Sequence, residues 1–340
     1  MWPCLRNHAF SLFLFAAVGL AVVFPEPAST GGLLHSEWIS GIGVAVIFFL
    51  QGLSLPTQSL AAGYKPIRLH LFVLSWNFLW FPAVAALLLY PMTWFLPNGL
   101  LLGFGVLAFL PTTIASATAY TALSGGTVGN AIVSTVLSNL LAVFLVPTIL
   151  VAYFEMESSV EISLGAVFLS LVYMLVLPLA LGQIARKYVF PSVDRSMKVS
   201  KRISAGIILF IVYLAFAQSM ESGILGRLSL ESLGVLITAV VLLLLATSAL
   251  VWKSTYWLQI ESSQRIAAFF CASQKSLASG LPLISSILLV VPDVAETTVI
   301  LLPLLCFHPL QMLLAGVLSD KFSQYYGKVM AINPFLKNTK

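Results

Sequence analysis

Charge is what this chain has least of: Asp, Glu, Lys and Arg together make up 9% of its 340 residues. A soluble domain of that length covers itself with far more, so a water-exposed globular fold is excluded. Cysteine is scarce too. Cys4, Cys271 and Cys306 are odd in number and two fall in apolar runs, which leaves no disulfide framework and no metal cluster. The basic residues never gather with interleaved aromatics, which removes nucleic acid as a partner. No nucleotide-binding motif is present, so the chain carries no ATP-driven engine of its own, and no cofactor is expected. No cleavable or organelle-retention signal stands out, and none is expected.

What the sequence does have is hydrocarbon, at 59% hydrophobic residues. The apolar runs are long enough to cross a bilayer. Ten of them lie near 9–24, 38–55, 69–90, 99–122, 128–153, 162–184, 203–220, 232–252, 265–290 and 297–318. The expected fold class is an all-α polytopic membrane protein of ten transmembrane helices, with both termini on one side.

Loop charges orient it, because cytoplasmic loops collect Lys and Arg. With the termini inside, Arg6, Lys65, Arg68, Arg186, Lys187, Arg195, Lys198, Lys201, Arg202, Lys253, Arg265, Lys321, Lys328, Lys337 and Lys340 are all cytoplasmic. Arg227 alone falls outside and Lys275 lies within a span. Glu26, Glu37, Glu155, Glu157, Glu161, Glu221, Glu231, Asp293 and Glu296 take the outer loops. The run from Arg186 to Arg202 suits anionic lipid. The first apolar run could be misread as a signal peptide, but its removal would contradict the charge pattern, so it reads as a retained helix. Short loops suit a bacterial inner membrane, with a eukaryotic Golgi or plasma membrane as the other possibility.

Two spans are interrupted in matching places. Span 4 holds Leu110-Pro111-Thr112-Thr113, and span 9 holds Gln274-Lys275-Ser276 followed by Gly280 and Pro282. Each is fourth of five, and paired interruptions of this kind point to an inverted-repeat carrier with its site near the midplane. The expected organisation is therefore a 5+5 repeat. Residues 1–153 form the first half and 154–320 the second; span 6 and a basic linker occupy 154–202, and 321–340 is a cytoplasmic tail.

Lys275 is the leading candidate residue, since a charge at membrane depth is expensive and usually faces a protein interior or a solute path. Gln274, Ser276, Thr112 and Ser116 flank the breaks. In span 5, Asn130, Ser134, Thr135, Ser138 and Asn139 share one helical face, although small hydroxyl residues also serve as packing between helices. Asn77 and Gln51 are amides in apolar runs, each equally able to bond a neighbouring helix. His308 before Pro309 implies a disturbed helix, with the imidazole either shuttling a proton or simply bonded to a freed carbonyl.

The segments Phe48-Phe49-Leu50-Gln51-Gly52-Leu53-Ser54-Leu55, Leu69-His70-Leu71-Phe72, Phe269-Phe270-Cys271-Ala272-Ser273-Gln274-Lys275-Ser276 and Phe307-His308-Pro309 closely resemble solute carrier family 10, the bile acid:sodium symporter family. The branch it looks most like is that of the seventh human member and its bacterial relatives. The resemblance implies a panel of spans 1, 2, 6 and 7, and a core of spans 3–5 and 8–10 in which unwound spans 4 and 9 cross. It also implies sodium sites, onto whose polar members Ser116, Thr135, Gln274 and Asn77 map. The chain departs from that pattern where Phe270 stands for a glutamate, Lys275 for an asparagine and Ala117 for a polar residue.

Losing a carboxylate and gaining an ammonium disfavours a bound cation, so Lys275 is a candidate stand-in for sodium. Either the lysine releases its proton in one conformation, making the carrier proton-coupled, or it stays charged and faces an anionic solute. The leading reading is a secondary active carrier of an organic anion working by alternating access. The alternative is a membrane regulator, for example of calcium handling, that keeps the carrier fold. An intramembrane enzyme using Ser116 or Ser276 with His308 lacks any recognisable nucleophile motif.

Overall fold

A computed structural model describes residues 2–28, 36–54, 63–157, 169–170, 172–189, 193–221, 223, 228–290 and 297–332. The start of expected span 6 (162–168), Glu161, Arg227, Asp293, Glu296, Lys337 and Lys340 lie outside the described residues. Among the described residues all regular structure is helical. That follows from the sequence, because a backbone in hydrocarbon must satisfy its own hydrogen bonds.

The helices are α1 (Trp2–Val23), α2 (Ser36–Ser54), α3 (Ile67–Ser75), α4 (Phe81–Leu89), α5 (Asn98–Phe109), α6 (Ile114–Leu123), α7 (Val128–Glu157), α8 (Leu177–Val189), α9 (Val193–Glu221), α10 (Leu230–Ser254), α11 (Ser262–Ser273), α12 (Leu277–Val290) and α13 (Thr297–Ile332). A π turn, Trp76–Trp80, fuses α3 to α4, and a second, Val172–Val176, leads into α8. Four helical stretches are long and apolar enough to cross a membrane singly: Ile67–Met92, Val128–Ile149, Leu230–Leu258 and Val299–Gln324. A fifth candidate is the pair α5 and α6, bent by 56° at a break of a few residues.

Both π turns precede a proline by two residues, Pro82 and Pro178. A proline has no N–H to return, so the helix widens and one carbonyl is left over. Four other prolines are absorbed: Pro147, Pro282, Pro303 and Pro309 all lie inside continuous helices. This corrects the expectation that Pro309 disturbs the helix around His308. Losing one ladder bond does not break a long helix whose neighbours hold it on both sides. The helix also runs on to Ile332, well past the expected span end at 318.

Helices α1, α2, α8 and α9 pack on one another, while α3, α6, α7, α10, α11 and α13 form a second set of mutual contacts. The buried side chains form two apolar clusters. One contains Leu100, Leu107 and Leu110 from α5 and its end with Leu277 and Leu281 from α12. The other contains Ala117 from α6 with Ile266 to Ala272 from α11. Each broken helix pair is thus shared between the clusters, and the two breaks fall where one cluster gives way to the other. Between α6 and α7 the reversal is tight. Gly125 takes φ +73°, a left-handed conformation that glycine enters freely, and the Gly126 N–H closes on Thr121 O at 2.8 Å.

Candidate functional site where the two broken helices meet

Three backbone carbonyls are left without helical partners, each for a local reason. In the π turn the Phe81 N–H bonds Trp76 O, so the next donor in that ladder would be residue 82, a proline, and Asn77 O goes unmatched. At the end of α5, Pro111 again offers no N–H. The Thr112 N–H that would have closed on Ala108 O turns instead to Ser138 Oγ at 3.3 Å. Leu110 sits in an extended conformation, which takes its carbonyl out of the helix.

Lys275 Nζ fills all three vacancies, donating to Asn77 O at 3.0 Å, Ala108 O at 2.7 Å and Leu110 O at 2.9 Å. The nitrogen also lies 4.2 Å from the centre of the Phe81 ring, a cation–π contact. The lysine is 0% exposed and is the one fully buried charged side chain among the described residues. Three acceptors match the three hydrogens of an ammonium, whereas a neutral amine has two hydrogens and would turn its lone pair on the third carbonyl. The negative end of the α5 dipole favours the same charged form.

The two breaks also bond each other directly. Ser276 N–H donates to Pro111 O at 2.8 Å, and Thr113 Oγ donates to Lys275 O at 3.1 Å. Ser116 Oγ donates to Gln274 Oε1 at 2.7 Å. Gln311 on α13 clamps the Lys275 peptide, accepting its N–H at 2.8 Å and donating to its carbonyl at 2.6 Å. From α7, Asn139 Nδ2 donates to Thr112 O at 2.9 Å, while its Oδ1 accepts from Ser279 Oγ at 2.6 Å. Asn77 Nδ2 reaches Ser138 Oγ at 3.1 Å and Cys271 O at 3.4 Å.

Of the residues singled out from the sequence, Lys275, Gln274, Ser276, Ser116, Thr112 and Asn77 therefore share one network. Ser276 Oγ caps α12 through the Ser279 N–H at 3.1 Å. Thr135 Oγ bonds its own helix at Ile132 O, 2.9 Å, though its carbonyl accepts from Asn139. Asn130 holds Gly63 O and Lys65 O at 2.8 and 2.6 Å, where it fastens the chain entering α3. His308 sits one layer back, with Nδ1 3.0 Å from Gln311 Nε2 and its ring edge-on to Phe10. Phe270, the position of the expected family glutamate, packs among the rings of Tyr120, Phe269 and Phe322.

Gln311, Thr113, Ser279 and Phe81 complete the network and escaped the sequence reading. Gln311 carried the same signal that flagged Asn77, an amide in an apolar run. Replacing it with leucine should strand the Lys275 N–H and leave its C=O with the Thr113 hydroxyl alone. At about 1–3 kcal/mol for a buried unpaired group, Gln311→Leu is expected to lower stability by that amount, read as thermal unfolding in detergent. A melting temperature equal to wild type would show that water replaces the clamp.

A chain helical throughout the regular structure of its described residues, with long apolar spans and a lysine locked between two helix breaks, belongs among the membrane transporters. The comparisons name the group: over residues 8–324 the chain matches the SBF-like CPA transporter family, and it belongs to that family. It is 32% identical over 319 residues to an uncharacterized protein of Pseudomonas aeruginosa, covering 93% of this chain and 92% of that one. It is also 29% identical over 322 residues to sodium/bile acid cotransporter 7 of Danio rerio, covering 92% and 93%. The mouse protein of that name is 28% identical over 319 residues, covering 92% of each. The family resemblance drawn from the motifs is borne out, and the transporter names agree with the reading that set an enzyme aside.

Proposed function

We propose that this protein is a secondary active carrier for an organic anion, with the Lys275 ammonium standing where sodium-coupled members of the family would hold their ion. The observation that carries the reading is Lys275 Nζ on three carbonyls at the junction of the two breaks, an oxygen cage of the kind a sodium ion would use. A mobile cation beside that ammonium would meet like-charge repulsion in a medium of low dielectric. The ring of Phe270 stacked on Tyr120 occupies the position from which a carboxylate would have served.

The proposed architecture is ten spans in a 5+5 inverted repeat, with both termini cytoplasmic. The mutual packing of α1, α2, α8 and α9 supports a panel, and that of α3, α6, α7, α10, α11 and α13 supports a core. Gln51 Nε2 on α2 donates to Ala278 O at 3.1 Å on α12, which packs in turn on α7 and α13 of the second set. In alternating access the core would slide against the panel and exchange that bond. The fixed positive charge, with Ser116, Gln274, Thr112 and Asn77 around it, favours an anion over a cation as cargo.

The test is counterflow in liposomes with radiolabelled taurocholate and a panel of other organic anions, chosen because two relatives are named bile acid cotransporters. Counterflow that survives replacement of sodium by choline, and that Lys275→Ala abolishes, is the expected result. A strict sodium requirement would sink the tethered-cation reading. Absence of counterflow for the whole panel, in protein that remains folded, would favour the regulator.

A further inference from the structure

The ammonium of Lys275 faces α3 and α5, but Gln274 beside it turns the other way, into a small, partly open pocket between α10, α11 and α13. Ser248, Ser273, Gln274 and Gln311 supply its polar edge, and Phe269 and Leu314 are part of its apolar wall. It has room for about one water-sized particle.

Both amide oxygens at this pocket are already engaged, which leaves an amide donor unpaired. Gln274 Oε1 is engaged by Ser116, and Gln311 Oε1 by the Lys275 N–H. Gln274 Nε2, on a residue 2% exposed, has no hydrogen-bond partner. Ser248 and Ser273 line the same pocket and each brings a hydroxyl to it. A water placed there would accept from the amide and donate to the serine hydroxyls, whereas an anion would draw the amide and both hydroxyls onto itself as donors. An anion needs donors alone.

Charge points the same way. No Asp or Glu is buried among the described residues, so the Lys275 ammonium is balanced by carbonyl dipoles and by no carboxylate. Gln311 spans the two places, clamping the Lys275 peptide and lining the pocket. No acidic side chain lines it.

We propose that this pocket is a halide site, taking chloride on Gln274 Nε2 and the hydroxyls of Ser248 and Ser273 as the counter-ion of the buried lysine. The site stands whether or not the protein carries an organic solute, because it rests on the unpaired donors and the uncompensated charge.

The test is thermal unfolding of the purified full chain in detergent, in sodium chloride, sodium bromide and sodium gluconate at equal concentration. Chloride and bromide are expected to raise the melting temperature saturably over gluconate, since a ligand bound by the folded state alone stabilises it. Gln274→Glu keeps an oxygen for Ser116 but replaces the amide donors with a like charge, and should erase the response. Ser248→Ala should weaken the apparent chloride affinity by about tenfold, the loss of one hydrogen bond. Bromide should also give an anomalous scattering peak within hydrogen-bond distance of Gln274 Nε2, a readout that stands if Gln274→Glu does not fold. Equal melting in chloride and gluconate, a response that survives both substitutions, or a site holding water without bromide would each overturn the proposal.

Discussion

Lys275→Met is expected to remove transport and to lower the melting temperature by more than about 5 °C, on the scale of degrees per kcal/mol for folded chains. Methionine keeps the reach of the stem and its fit against Phe81 but carries no donor. Asn77 O, Ala108 O and Leu110 O would then lie buried without partners, at roughly 1–3 kcal/mol each. Relief of the ammonium's own desolvation offsets part of this, leaving a net loss of about 3 kcal/mol or more. The carbonyls cannot recover internally. Pro82 and Pro111 have no N–H, and the Thr112 N–H is held by Ser138. A methionine variant as stable as wild type in detergent would mean that water or another donor reaches the three carbonyls, and the cage would lose its structural meaning.

A valine at Gly52 or at Gly182 is expected to abolish the folded protein, seen as loss of the monodisperse peak after detergent extraction. Helices α2 and α8 meet backbone to backbone. A Cβ on Gly52 would fall inside the surface of Leu179 O, and one on Gly182 inside that of Phe49 O. Side chains can rotate out of an overpacked site at about 1–3 kcal/mol, but here the obstacle is main chain, so the cost lies above that range. The close approach also lets Gln183 Nε2 donate to Gly52 O and Arg186 Nη1 to Leu53 O at 3.0 Å, bonds that a wider separation would lose. Small residues at such crossings do in lipid what apolar burial does in water. Gly19, whose Cβ would meet nothing within 4 Å, provides the control: Gly19→Val should extract normally.

Much of the site could be read from residues because membrane depth makes polar groups conspicuous. Lys275, Gln274 and Asn77 stood out against apolar neighbours, and Pro111 marked the break in span 4. Other features were harder to read. Pro309 looked like a break and is none, because a proline's effect depends on whether the surrounding helices hold the strand of carbonyls in place. Pro82 frees the Asn77 carbonyl, an effect visible once the ladder is counted as π and not α. Asn130, on the same helical face as Ser138 and Asn139, lies two turns away and serves the Gly63 loop. A shared face says nothing about which level of a helix the site occupies.

Hydrophobic content, run length and loop charge were enough to place the chain in a membrane as a bundle of helices, because lipid leaves a backbone no other way to pair its own groups. Two interruptions and a stray lysine were enough to single out residues that the fold brings together. Which way Lys275 points is another matter. Its aim at three carbonyls from two different helices and the clamp by Gln311 from a third were set by how the helices pack, since each of those partners lies at least 36 residues away in the chain and no local pattern records it.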